Sequence, residues 1–87
     1  MEERTKNVQN EELVLNFSYE FKMTGLRIAY FRKEKGWTQE ELANRMKMQT
    51  STIGAIEAPN MDKKISLNTL FKFAKVLDVP ASKLLEF

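Results

Sequence analysis

Thr38, Gln39 and Glu41 are the first residues whose types and spacing specify chemistry. Thr38-Gln39-Glu40-Glu41 is a capping box: the Thr38 hydroxyl can accept from the Glu41 backbone N–H while the Glu41 carboxylate reaches back. A helix therefore begins here, with Gln39 in its first turn. Free N–H groups and the positive dipole end at such a terminus favour an anion. A Gln39 amide beside them is placed to donate to a phosphate oxygen. Lys63 and Lys64, further along, lie in a loop over Asn60 to Ile65.

Other chemistries are excluded by composition. The 87 residues contain no His and no Cys. Disulfides, the usual zinc sites and Ser-His-Asp or Cys-His nucleophile systems are absent. No catalytic residue, metal ligand or cofactor motif is identified, and an enzyme finds no support. The net charge is +2, with nine Lys/Arg against five acids between residues 22 and 64 and a net −2 in residues 1–12. The positive part is the middle of the chain. No apolar run approaches the ~20 residues of a membrane span, and no signal peptide is visible. The expectation is a cytoplasmic protein with no membrane or small-molecule partner.

Several elements must position these groups. Residues 1–12 are polar and are expected to be loose. In residues 13–22, Leu13, Leu15, Phe17, Tyr19 and Phe21 alternate with Val14 and polar residues, which favours a strand. Leu13, Phe17 and Phe21 at i, i+4 leave a helix as the rival. A strand here has no evident partner in the chain, so the expectation is a dimer arm pairing with its copy. A first helix is read over Gly25 to Gly36, with Gly36 at its C′ position.

The capped helix from Thr38 runs to about Met46, with Leu42, Ala43 and Met46 inward. Lys47-Met48-Gln49 breaks it. A third helix covers about Thr50 to Ala58, with Ile53 and Ile56 inward, and stops before Pro59. Ser66 caps a fourth helix with the stripe Leu67, Leu70, Phe71, Ala74 and Leu77. Pro80 starts a short fifth, which packs Leu84, Leu85 and Phe87. Two short helices joined by a three-residue turn are the minimal unit for placing a helix in the DNA major groove, ~12 Å wide.

The string R-x-x-x-G-W-T-Q-E-E-L-A at Arg32 to Ala43, then S-T-I-x-x-I-E at Ser51 to Glu57 and S-L-x-T-L-x-K-x-A-K-x-L-D-V at Ser66 to Val79, resembles the Xre/Cro-like helix-turn-helix family of phage and bacterial repressors. The likeness spans Gly25 to Leu85. It implies an all-α bundle of five helices in residues 25–87, with residues 1–24 as an N-terminal extension. It also implies a transcriptional regulator that binds double-stranded DNA as a homodimer. Base contacts would map to Gln49, Thr50, Ser51, Gly54 and Ala55. Phosphate contacts would map to Gln39, Asn60, Lys63 and Lys64. A buried ion pair would join Arg32 to Glu57, in keeping with their inward positions and the cost of an unpaired buried charge.

The chain departs from the family pattern in places. Lys47 stands where the turn often has Gly, so a distorted turn is expected. Gln49 replaces the usual Ser/Thr cap, so Thr50 or Ser51 is expected to cap instead. The third helix carries no Arg or Lys, which removes bidentate guanine readout and leaves Gln49 for adenine and the Thr50 or Ala55 methyls for thymine. Trp37 is expected to pack over Leu26 or Tyr30. The bland reading face keeps a second function open: an adaptor or antitoxin that holds a partner protein.

Overall fold

The computed structural model describes residues 17–60 and 63–87. They form four α-helices: α1 Ser18–Glu34, α2 Gln39–Met46, α3 Thr50–Glu57 and α4 Leu67–Leu77. A short 3-10 helix, η1, follows at Ala81–Leu85. Helix α1 packs on α3 and η1, α2 on α3 and α4, and α4 on η1. The core is a single cluster that includes Ile28, Leu42, Met46, Ile53, Phe73 and Leu84. The protein is all-α, and no strand occurs among the described residues.

The alternating segment is the main correction. Residues 18–22 are helical, so the strand expected over 13–22 does not form there, while Leu13 and Leu15 lie outside the described residues. Helix α1 starts at Ser18, not Gly25, and runs through the boundary expected between residues 24 and 25. The reason is a helical stripe that the apolar letters conceal. Thr24, Gly25, Ile28, Ala29 and Arg32 are all buried. Thr24 hides its hydroxyl by donating to the Glu20 carbonyl at 2.7 Å. Gly25 has no side chain at all, and a Cβ there would overlap the Ile56 carbonyl oxygen. A polar letter and a blank therefore occupy two core positions.

Local signals set the other ends. The Gly36 N–H donates to Lys33 O at 2.9 Å and the Trp37 N–H to Arg32 O at 3.2 Å, with Gly36 at φ 75°. This is a Schellman closure. The capping box forms in both directions: Glu41 N–H to Thr38 Oγ1 at 3.1 Å, and Thr38 N–H to Glu41 Oε1 at 2.7 Å. Ser66 accepts from the Thr69 N–H at 3.1 Å.

Two smaller expectations also change. The fifth helix is a 3-10 turn that buries Leu84 and leaves Leu85 and Phe87 exposed. Helix α4 buries Leu70, Phe73, Ala74 and Leu77, while Leu67 and Phe71 face outward. Trp37 packs against the core under the Arg45 guanidinium, 4.0 Å above its ring.

Candidate nucleic-acid interface

Helices α2 and α3 meet across Lys47-Met48-Gln49. Lys47 takes the left-handed conformation at φ 59° and ψ 43°, close to the centre of that region at about +57° and +47°. The turn is therefore not distorted. It closes through Met48 N–H to Ala43 O at 2.9 Å. A residue not singled out in the sequence supports it: Lys72 of α4 donates to the Met46 carbonyl at 2.6 Å. That ammonium sits on the carbonyl end of α2, where a cation is favoured. Its signal is the lysine of the S-L-x-T-L-x-K string, to which the sequence attached no role.

The cap of α3 differs from expectation. Helix α3 begins at Thr50 with Gln49 as N-cap, and neither Thr50 nor Ser51 replaces it. The Gln49 carbonyl accepts from the Thr52 and Ile53 N–H groups at 3.0 and 3.2 Å, but its side chain makes no capping bond. Its amide is thus not spent on holding the helix. Gln49, Thr50 and Ser51 are exposed, Gly54 and Ala55 half-buried, while Ile53, Ile56 and Glu57 anchor the opposite face.

The anchor is polar at its end. Arg32 Nε donates to Glu57 Oε2 at 2.8 Å and Arg32 Nη2 to Glu57 Oε1 at 3.0 Å. Arg32 Nη1 also donates to the Trp37 carbonyl at 2.7 Å, just before α2. Gln39 Nε2 donates to Glu57 Oε1 at 3.0 Å. One carboxylate thus joins α1, α2 and α3. Among the described residues no buried side-chain nitrogen or oxygen lacks a partner. Gln39, read from the sequence as a phosphate donor, has this amide nitrogen engaged; a single N–H of the NH2 group suffices for that bond, leaving the other. Asn60, Lys63 and Lys64 are exposed in the loop after α3.

Phe17 and Tyr19 are exposed at the start of α1. Phe17 and Phe21 line an apolar groove of about 340 Å3 with Leu67, Leu70 and Leu85. Tyr19 turns to the C-terminal end, its ring edge-on to Phe87 at 6.0 Å.

Four short helices around one core, with a tight turn between the second and third and the third exposed at its start, define a helix-turn-helix protein. The helix-turn-helix family model matches residues 28–84, and the chain belongs to that family. It is 39% identical over 64 residues to the HTH-type transcriptional regulator SinR of Bacillus subtilis (strain 168), covering 74% of this chain and 57% of SinR. The chain thus spans just over half the length of that relative. Among solved structures it is similar to the restriction-modification controller protein C.AhdI from Aeromonas hydrophila, with a TM-score of 0.68, 29% identity, and 76% and 97% of the two chains covered. The biofilm master regulator SinR, solved in complex with DNA, matches with a TM-score of 0.66 and 39% identity over 74% of this chain and 100% of the other.

Proposed function

We propose that this protein is a transcriptional regulator that binds double-stranded DNA as a homodimer in the cytoplasm. Helix α3 enters the major groove. Gln49, Thr50, Ser51, Gly54 and Ala55 face the bases, and Gln39, Asn60, Lys63 and Lys64 meet phosphates. One observation carries the reading: the start of α3 is exposed and polar while its other end is fastened to α1 and α2 through Glu57. A rigid helix with a bare leading face is what groove insertion requires. The similarity to SinR, whose structure contains DNA, supports the same assignment.

Helix α3 carries no cation. Readout is therefore modest in hydrogen bonds and leans on DNA shape, while affinity comes from lysines on phosphate. A dimer using Lys63 and Lys64 of both copies loses affinity with a log–log salt slope of roughly −3.6, at about −0.9 per phosphate neutralised. The test is a mobility shift against the DNA upstream of the protein's own gene, repeated across salt. A retarded complex that weakens with salt supports the reading. No complex, or a flat salt response, refutes it.

The dimer rests on the N-terminal end. Phe17, Tyr19 and Phe21, with Leu13 and Leu15 before them, form the candidate interface, and the apolar groove beside Phe17 and Phe21 supplies a surface for a second copy. The same groove favours the second reading, an adaptor or antitoxin that holds a partner protein. Stoichiometric co-purification of one protein, with no DNA complex, would favour it.

A further inference from the structure

The chain has three glycines, and the fold accounts for two. Gly36 has φ 75°, where a side chain is strained. Gly25 lies against the backbone of α3, where a Cβ would overlap the Ile56 carbonyl. Gly54 has neither reason. It sits inside α3, where glycine is the poorest helix former after proline. A Cβ there would meet nothing nearer than Gln39 Oε1 at 3.6 Å, an ordinary contact. The fold would be firmer with alanine.

The surroundings of Gly54 point outward. It follows Thr50 by four residues and Ser51 by three, so it lies on the same side of α3 as those exposed residues and is itself half-buried. Gln39 stands beside it and is held there by the bond from Nε2 to Glu57. Gly54 therefore leaves the α3 backbone beside the Gln39 amide without a side chain over it. Glycine at such a place allows close approach by another molecule.

We propose that Gly54 is a clearance position for double-stranded DNA: its missing side chain lets the duplex come closer to α3, beside Gln39, than a methyl group would permit. This rests on the DNA-binding reading and deepens it. Gly54 determines fit by absence, and it limits how tightly the helix is built.

The experiment uses the full chain and a duplex selected in vitro from a random pool by the wild-type protein. Wild type, Gly54→Ala and Gly54→Leu are compared by thermal melting and by fluorescence anisotropy on that duplex. Gly54→Ala should melt about 4 °C higher, as a mid-helix glycine is replaced. It should bind roughly tenfold more weakly, the scale of one overpacked methyl, and Gly54→Leu more weakly still. The salt slope should stay unchanged, because no phosphate contact is lost. Binding by Gly54→Ala within about twofold of wild type would overturn the proposal. So would a lower melting temperature, since glycine would then be serving the fold. If the wild-type chain enriches no duplex, the DNA reading itself fails, and this inference with it.

Discussion

Arg32 and Glu57 lie 25 residues apart in the chain and meet through two hydrogen bonds of 2.8 and 3.0 Å, with side chains only 10% and 4% exposed. The pair fastens the last turn of α3 to α1. Through Gln39 it also fastens the first turn of α2. Removing the arginine leaves a buried carboxylate whose main partner is gone. Arg32→Ala should therefore destabilise the protein by about 3 kcal/mol, before any contact with DNA is considered. Urea unfolding checks this, and equal midpoints for mutant and wild type would refute it. Arg32→Met combined with Glu57→Leu should lose less than Arg32→Ala alone, because no lone charge remains buried.

Gly25 and Gly54 should respond in opposite directions to the same substitution. Gly25→Ala gains helix propensity but forces a methyl against the α3 backbone. Backbone cannot move aside as a flexible side chain can. A net loss of roughly 1–3 kcal/mol is expected, the range for overpacking, read as a lower melting temperature.

Lys47 holds a left-handed conformation that costs a non-glycine residue roughly 1–2 kcal/mol. Its N–H donates to Asn44 O at 3.3 Å, which glycine would preserve. Lys47→Gly should therefore raise the melting temperature by several degrees, reduced by the extra freedom of the unfolded chain. A fall would mean that the lysine side chain contributes to the turn.

Phe17 and Leu67 are 55% and 68% exposed on the rim of the apolar groove. Polar replacements there should cost the monomer little, roughly within 0.5 kcal/mol each. If that rim is the dimer interface, Phe17→Ser with Leu67→Ser should give monomers by light scattering while melting stays near that of a wild-type monomer. A double mutant that remains dimeric places the interface elsewhere.

What was legible in the sequence was chiefly local. Thr38 and Glu41 cap α2, Ser66 caps α4 and Gly36 closes α1, because each acts on backbone groups within a few residues of itself. The inward residues of α2 and α3 followed from spacing. Lys47 departs from the family's usual turn glycine, yet its conformation is regular, and Lys72 of α4 bonds the Met46 carbonyl just before it.

The tertiary structure decided what depended on distant neighbours. Whether residues 18–22 became strand or helix turned on partners: a strand needs an adjacent edge, while a helix here can use Thr24 and Gly25 as core positions against α3 and η1. The stripe read for α4 holds at Leu70, Ala74 and Leu77 but not at Leu67 and Phe71, which stay exposed while Phe73 enters the core. The same holds for Thr38 to Glu57. Its two helices and three-residue turn were readable from the residues themselves. Their union with Arg32 through one shared carboxylate, and the approach of Gln39 to Gly54, exist only once the three helices are packed, because each depends on atoms that spacing along the chain does not bring together.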